Sequence, residues 1–246
     1  MLPRILHQVW LGPAPLPDEF RGYRETWLRH HPGWELRFWT EENLPPDLVR
    51  PEVHERLRQP AERADLLRLE VLLREGGVYL DTDFECLRPI EPLLEGVECF
   101  CAYLKPGRVN NAILGATPGH PFLERVLREA RPRTEWGYDK DAAGPFLLDR
   151  LVKDEPGVTI FPPELFYPRT EEERRQAYAI HHAARGWKSR ELLMKDVLRA
   201  EERQREAQDE LQTLRRRYDA ALEEIASLRS GSRLGALRAR LARLRP

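Results

Sequence analysis

The sequence predicts an α/β domain followed by a long C-terminal helix, and three observations support this. From residue 4 to about residue 161, short runs rich in β-branched and aromatic residues alternate with helical patterns. The stretch Glu75-Gly-Gly-Val-Tyr-Leu-Asp-Thr-Asp-Phe-Glu85 joins a predicted helix to a strand that ends in two carboxylates. After Trp187 the composition changes sharply. We therefore divide the chain into a domain (1–188), a helical segment (189–230) and a basic tail (231–246).

The first part of the domain alternates strand and helix. Strands are predicted at 4–12 and 34–39, helices at 18–31 and 60–75, and a proline-rich loop at 43–51. Pro60 suits the first position of its helix. Gly76 and Gly77 suit the left-handed turn that ends it, and a strand follows at 78–81.

The second part continues this alternation. Strands are predicted at 99–103, 112–116 and 158–161, helices at 120–131 and 141–153, and a strand-like run begins at Tyr178. Asn110 and Asn111 fall between two of these strands. They either contact sugar hydroxyls or form a turn, which asparagine favours.

The carboxylates that follow the strand at 78–81 are the first candidate site. On an extended chain alternate side chains share a face, so Val78 and Leu80 would pack inward. Tyr79, Asp81 and Asp83 would then point together into the crevice where open α/β sheets bind ligands. Carboxylate oxygens suit Mg²⁺ or Mn²⁺, which usually bridge protein carboxylates to substrate phosphates.

Three further groups of residues each have a functional and a structural interpretation. Trp10, at the end of the first strand, either stacks on a base or belongs to the core. Asp65 and Arg68 are three apart on a helix, so they form a surface ion pair or meet a ribose and a phosphate beside the site. His181 and His182 either supply a third metal ligand or are ordinary histidines.

Composition limits the classes of protein. The chain has 246 residues, 33% of them charged, and a formal net charge of -1. The arginines after residue 228 leave the remaining chain acidic, which argues against nucleic-acid binding. The three cysteines form no CxxC pair and predict buried, reduced thiols. With no signal peptide and no long apolar run, a cytosolic location is expected.

Several blocks occur in order along the chain: Ile5-x-His7-x-x-Trp10-x-Gly12, Ala64-Asp65-x-x-Arg68, Gly76-Gly77-Val-Tyr-Leu-Asp81-x-Asp83, Asn110-Asn111, Gly144-Pro145 and His181-His182-x-x-x-x-Trp187. This set resembles the DXD sugar-binding glycosyltransferases, a family that includes fungal initiating α-mannosyltransferases and bacterial capsular polysaccharide enzymes. It is also similar to the glucosyltransferase domains of clostridial toxins. The resemblance covers about residues 2–189.

The resemblance implies a GT-A, Rossmann-like fold, a UDP- or GDP-sugar donor and a divalent cation, Mn²⁺ or Mg²⁺. It also implies transfer of a hexose, with retention at the anomeric carbon, to a surface glycan. The C-terminal tail resembles the arginine- and leucine-rich tails of bacterial surface-polysaccharide glycosyltransferases, which implies a bacterial enzyme. By the resemblance, Trp10 stacks on the base, Tyr79 supports the nucleotide and Trp187 closes over the diphosphate. Asp65 and Arg68 would contact the ribose, sugar and phosphate of the donor. Asp81 would hold ribose or sugar hydroxyls and reach the metal through water, Asp83 would bind the metal directly, and His181 or His182 would complete the metal shell. The resemblance gives the catalytic role to Arg68, Asp81 and Asp83. Ala183 and Gly186 stand where relatives carry an aromatic and a serine.

The segment after Trp187 predicts self-association. Apolar and small residues alternate spacings of three and four, at Val197, Ala200, Gln204, Ala207, Leu211, Leu214, Tyr218, Ala221, Ile225 and Leu228, which is a heptad seam. A coiled-coil homo-oligomer and a single long helix both fit. The leucine- and arginine-rich tail fits a peripheral anchor at the inner membrane face or a partner-binding segment.

Two other functions remain open from the sequence. A nucleotidyl- or phosphotransferase could use the same carboxylates without a sugar donor. A catalytically inactive scaffold could present the coiled coil, although both carboxylates of Asp81-x-Asp83 are intact.

Overall fold

A computed structural model describes residues 1–57, 59–131, 144–153, 155–184, 190–229 and 235. The chain separates into two compact units, Met1–Trp187 and Lys188–Pro246. The first unit contains β1 (Ile5–Val9), α1 (Asp18–His30), β2 (Glu35–Trp39), α2 (Pro51–His54), α3 (Pro60–Glu75), β3 (Gly77–Leu80), β4 (Phe84–Cys86), β5 (Cys99–Lys105), β6 (Arg108–Ala116), α4 (Pro121–Glu129), α5 (Pro145–Val152), β7 (Thr159–Phe161), α6 (Glu171–Gln176) and β8 (Ala179–His181). Single 3₁₀ turns lie at Glu91–Leu93 and Pro163–Leu165.

The predicted strands and helices of the domain that fall within the described residues are confirmed, but the predicted position of Asn110 and Asn111 is wrong. Strand β6 begins at Arg108, so Asn110 and Asn111 lie inside a strand and not between two strands. The turn before β6 uses Gly107 instead, at a φ of 73° that glycine adopts freely. The predicted helix at 141–153 contains α5, and its first residues, 141–143, lie outside the described residues.

A mixed six-stranded sheet, in the order β2-β1-β3-β6-β5-β7, forms the centre of the first unit. Strand β1 runs parallel to β2 and β3, and β5 runs parallel to β7. Strand β6 is antiparallel to both β3 and β5. A separate two-stranded sheet pairs β4 with β8. Because β1 and β3 are parallel neighbours, their carboxyl ends meet at one edge of the sheet.

Hydrophobic side chains cover both faces of the large sheet. On β3, Tyr79 joins the cluster that contains Leu66 and Leu72 of α3. Its neighbours Val78 and Leu80 join a second cluster with Trp27 of α1. The strand is therefore buried on both faces, as expected for a strand covered by helices on each side.

The double glycine after α3 aims the chain into β3. Gly76 has a φ of 65° and Gly77 a φ of 96°. The Gly76 carbonyl lies 2.8 Å from Nε2 of the buried His7, which ties the turn to β1. A Cβ atom on Gly77 would lie 2.5 Å from the Ile5 carbonyl oxygen. Both the backbone angle and the available space therefore require glycine at residue 77.

Gly77→Ala is expected to lower the free energy of unfolding by about 2–5 kcal/mol, because left-handed strain and overpacking add. Gly22→Ala is the matched control, since Gly22 lies in α1 with no atom within 4 Å of an added Cβ. That control should gain about 0.5–1 kcal/mol. Urea denaturation of both variants measures the difference, and equal stabilities would contradict the assigned backbone geometry.

The cysteines are buried and free, as predicted. Burial raises the pKa of the Cys86 and Cys99 thiols to about 12, so both stay protonated at neutral pH. Such thiols are poor nucleophiles and poor metal ligands, which supports their interpretation as small core residues.

The second unit contains α7 (Arg190–Arg229), a helix of 40 residues. This confirms the predicted long helix. Among its described side chains, Leu211, Leu214, Tyr218 and Ile225 of the predicted seam are exposed. Apart from residue 235, the predicted basic tail lies outside the described residues. No helix in the described part of the chain is both long and apolar enough to cross a membrane.

Candidate active site

The two carboxylates of the Asp-x-Asp pair lie on a tight turn at the end of β3. The strand ends at Leu80, and the Phe84 amide donates to the Asp81 carbonyl at 3.2 Å. The predicted extended path through Asp83 is therefore wrong. A hydrogen-bonded turn, and not strand alternation, brings Asp81 and Asp83 to the same place.

Pairing of β4 with β8 adds a histidine to these carboxylates. Phe84 lies opposite His181 in the antiparallel register. Nε2 of His181 is 3.2 Å from Oδ1 of Asp83 and 3.9 Å from Oδ2 of Asp81. Ligand atoms of all three side chains lie within 4.8 Å of one another. We call Asp81, Asp83 and His181 the carboxylate–histidine cluster.

The second histidine of the pair faces a different group. Nε2 of His182 lies 3.0 Å from Oε2 of Glu85. Its ring stacks on Tyr23, with centroids 4.3 Å apart and planes 5° apart. His182 lies just after β8, and these contacts turn its imidazole toward Glu85 and Tyr23. The sequence left open which of the two histidines is the candidate metal ligand, and the geometry favours His181.

Backbone contacts hold Asp83 in position. The Ala184 amide donates to its Oδ2 at 2.7 Å, and the His182 amide donates to its carbonyl at 3.1 Å. Between these residues, Ala183 adopts a φ of 49°, an uncommon value for a residue other than glycine. Ala183 thus makes the turn that directs the Ala184 amide at the carboxylate.

Arg68 connects the cluster to α3. Its guanidinium lies 3.2 Å from Oδ1 of Asp81 and 2.8 Å from Oδ1 of Asp65, and it donates to the Asn111 carbonyl at 2.6 Å. It also sits over the Tyr79 ring, 4.5 Å from the centroid. The Arg68 side chain is only 5% exposed. Asp65 and Arg68 are therefore a pair inside the site, and not the surface ion pair that the sequence left open.

Asp65 lies at the junction of three segments. Its Oδ1 accepts from Nδ2 of Asn111 at 2.8 Å, and an added Cβ on Gly144 would lie 3.0 Å from its Oδ2. Burial raises the pKa of Asp65 to about 6, although Arg68 and Asn111 oppose this shift. The carboxyl oxygens of Asp65 can accept hydrogen bonds from hydroxyl groups.

The structure corrects the predicted orientation of Tyr79. Its ring is 1% exposed within the core cluster and does not open into a crevice. The hydroxyl alone reaches the site, where it donates to Oδ1 of Asp81 at 2.6 Å. The shared face of Tyr79 and Asp81 is therefore confirmed, while direct access of the Tyr79 ring to a ligand is wrong.

The remaining predicted site residues lie around this centre or outside the described chain. Trp10 follows β1 directly, is partly exposed, and donates from Nε1 to the Ala14 carbonyl at 2.7 Å. The Asn110 side chain accepts from the Asn111 amide at 2.7 Å. Trp187 lies outside the described residues.

Sequence reasoning missed the aromatic residues that hold His181. The Phe84 ring stacks on the imidazole at 4.6 Å, and the Tyr167 ring meets it edge-on at 5.5 Å. Phe84 follows the Asp-x-Asp pair directly, so its place in the sequence could have indicated that it lies at the site. Tyr167 carried none, because its contact with His181 depends on the fold of a loop.

The carboxylate–histidine cluster has the donor set of a divalent cation site. Two carboxylates and one imidazole suit Mn²⁺, and carboxylates alone suit Mg²⁺. Their ligand atoms are close enough to bind one ion, and the adjoining Arg68 offsets part of the cluster's negative charge. The residues therefore fit the metal that the family resemblance implies.

Residues 17–99, which contain Asp65, Arg68, Asp81 and Asp83, match the model of the glycosyltransferase sugar-binding region containing the DXD motif. This region is similar to the DXD glycosyltransferases. An inositol phosphoceramide mannosyltransferase of Schizosaccharomyces pombe is 32% identical over 143 residues, which cover 56% of this chain and 39% of the relative. A mannosyl phosphorylinositol ceramide synthase of Saccharomyces cerevisiae is 31% identical over 140 residues, covering 53% and 35%.

The chain thus spans less than half the length of these two relatives. Its fold is similar to that of PaToxG glycosyltransferase, with a TM-score of 0.50 at 15% identity over 63% of this chain and 70% of that one. The mixed α/β sheet and this likeness agree with the expected GT-A class of fold.

Proposed function

We propose that the chain is a metal-dependent glycosyltransferase that moves a hexose from a nucleotide sugar to a hydroxyl acceptor, with retention at the anomeric carbon. The observation that carries the proposal is the carboxylate–histidine cluster, joined by Arg68 to Asp65 within the DXD region. A phosphotransferase would use the same carboxylates, but the family match favours sugar transfer. The intact cluster argues against an inactive scaffold.

The residues have separate tasks in this reaction. Asp81, Asp83 and His181 would hold the cation, which supplies Lewis-acid stabilisation of the departing diphosphate. Asp65 and Asn111 would position sugar or ribose hydroxyls. The buried Arg68 keeps Asp65 and Asp81 in place and adds positive charge near the leaving group. In a retaining transfer, the departing phosphate can take the acceptor proton, so no separate enzyme base is required.

Trp10 is proposed to stack on the nucleobase. Strands β1 and β3 are parallel neighbours, so Trp10 and Asp81 follow them at the same edge of the sheet. In the ligand-free chain the indole packs edge-on against Phe20, with centroids 5.9 Å apart. We further propose that Trp187, by its place in the family motif, covers the diphosphate.

The names of the relatives suggest which substrates to test. GDP-mannose is a reasonable first donor, and the polyol head group of an inositol sphingolipid a reasonable first acceptor, because the fungal relatives are named for mannosyl transfer to such lipids. A surface glycan is the alternative acceptor. Release of nucleoside diphosphate from GDP-mannose, UDP-glucose and UDP-galactose, with Mn²⁺, with Mg²⁺ and with a chelator, tests the class of reaction. Metal-independent release, or none, would contradict the proposal.

We also propose that α7 self-associates as a coiled coil. The support is its heptad seam, whose Leu211, Leu214 and Tyr218 are 60%, 54% and 64% exposed in the single chain. Apolar residues at such spacing normally bury against a partner helix, which here would be a second copy.

Light scattering is expected to show a dimer or larger oligomer, and Leu214→Lys should reduce it toward the monomer. Thr213→Lys is the matched control, because Thr213 is adjacent in sequence but outside the seam. A monomeric parent chain at high concentration would contradict the proposal.

The arginine-rich tail, residues 231–246, is proposed to contact anionic lipid from the cytosolic side. Its leucine and arginine spacing supports this. Deleting residues 229–246 should reduce sedimentation with phosphatidylserine vesicles, and unchanged sedimentation would refute the contact.

A further inference from the structure

The hydroxyl of Tyr167 is buried without a partner. Tyr167 is 6% exposed, and its hydroxyl oxygen has no hydrogen-bond partner among the described residues. The residue follows the 3₁₀ turn Pro163–Leu165, and its amide donates to the Pro163 carbonyl at 2.7 Å, so its backbone is fixed. An unsatisfied buried polar group costs about 1–3 kcal/mol, and folded proteins rarely keep one without a reason.

Tyr167 differs from the other buried polar atoms that lack partners in the described part of the chain. Those atoms belong to Gln8, Arg24, Glu91 and Arg125. Each of these side chains is bonded through another of its polar atoms, for example Nε of Arg24 to Oε1 of Gln8 at 2.9 Å. Tyr167 has a single polar side-chain atom, and that atom is the unsatisfied one.

The position of Tyr167 connects it to the proposed active site. Its ring meets His181 edge-on at 5.5 Å and Phe84 at 5.7 Å. Tyr167 therefore lies beside the histidine of the carboxylate–histidine cluster.

The chemistry of the hydroxyl selects the kind of partner. A tyrosine hydroxyl is protonated at neutral pH and can donate a hydrogen bond. No acceptor among the described residues lies within hydrogen-bonding distance of it, and the two carboxylates of the cluster accept from other donors, Asp81 from Tyr79 and Asp83 from the Ala184 amide. The fitting partner is thus an acceptor oxygen that arrives with a ligand.

We propose that the Tyr167 hydroxyl donates a hydrogen bond to an oxygen of the bound nucleotide sugar. That oxygen belongs either to a sugar hydroxyl or to the diphosphate. The inference rests on the proposed function and adds a donor-binding residue to it.

The test is Tyr167→Phe in the full-length chain, with two readouts. First, the unfolding temperature of the free protein should stay the same or rise, because the variant removes an unsatisfied hydroxyl. Second, calorimetric affinity in the presence of Mn²⁺ should fall about 3- to 10-fold, the effect of one neutral hydrogen bond. The probes are GDP, UDP, GDP-mannose, UDP-glucose and UDP-galactose. If affinity falls for both the nucleoside diphosphates and the nucleotide sugars, the contact is to a phosphate oxygen. If affinity falls for the nucleotide sugars only, the contact is to a sugar hydroxyl.

Tyr178→Phe is the matched control. Tyr178 is partly buried, and its ring lies 5.2 Å from the Arg88 guanidinium. Its substitution should leave affinity unchanged. A clearly lower unfolding temperature of free Tyr167→Phe would show that the hydroxyl has a partner within the protein, and would overturn the proposal. Unchanged affinity for every nucleotide sugar that the parent chain binds would also overturn it. If the parent chain binds no probe, the proposed function itself fails.

Discussion

Asp83→Asn is expected to lower turnover of the nucleotide-sugar donor by about 100- to 1000-fold, the loss typical when one group that stabilises transition-state charge is removed. The carboxamide is a weaker ligand for a hard divalent cation than the carboxylate. Asparagine keeps an oxygen that can still accept from the Ala184 amide, which Asp83 contacts at 2.7 Å. The fold should therefore survive, and steady-state release of nucleoside diphosphate measures the loss.

Glu85→Gln is the control for this variant. Glu85 is a carboxylate two residues further along, but it pairs with His182 and not with the cluster. Its substitution should change turnover less than about twofold. If Asp83→Asn retained near-normal metal-dependent turnover, Asp83 would not be a metal ligand.

Arg68→Met is expected to lower the free energy of unfolding by about 3–5 kcal/mol, because removing one partner leaves a buried charge unpaired. Methionine preserves much of the aliphatic stem, so the loss reflects the guanidinium. Two carboxylates lose their cation, Asp65 at 2.8 Å and Asp81 at 3.2 Å. The Asn111 carbonyl also loses a donor. Urea denaturation measures the change.

Arg128→Met is the matched control for Arg68. The Arg128 side chain is 70% exposed and pairs with Glu124 one turn earlier in α4. Such a surface pair contributes about 0.3–0.5 kcal/mol.

A second variant sharpens the test: Asp65→Asn combined with Arg68→Met should recover part of the lost stability, because one unpaired charge is removed. A loss for Arg68→Met as small as that for Arg128→Met would contradict a buried network.

Local signals predicted the elements that carry the DXD region. Helix α3 begins at Pro60 and ends at Glu75, as its proline and the following glycines indicate. Gly76 and Gly77 have the positive φ values that a left-handed turn requires. The pairing of Asp65 with Arg68 was visible from their spacing, but its burial was not, because burial depends on the neighbouring strand β6.

Long-range pairing set the features that the sequence could not specify. The short strands β4 and β8 are about 95 residues apart and too short to show a clear alternation. Their register places His181 opposite Phe84, and the turn before β4 then brings the Asp83 carboxylate to His181. Asn110 and Asn111 have the composition of a turn, yet their pairing within β6 overrides that local preference. Tyr167 reaches the site through a loop without periodicity.

The central claim is that Asp81, Asp83 and His181 bind one divalent cation. Titrating the metal-free chain with Mn²⁺ and following the free-ion signal by electron paramagnetic resonance tests it most directly. We expect one Mn²⁺ per chain, with affinity about 10-fold or more weaker in His181→Ala, since ligand-sphere changes typically cost 10- to 100-fold. Affinity in His182→Ala should stay within about twofold. Loss of binding in His182→Ala but not in His181→Ala, or no binding by the parent chain with or without nucleoside diphosphate, would contradict this account.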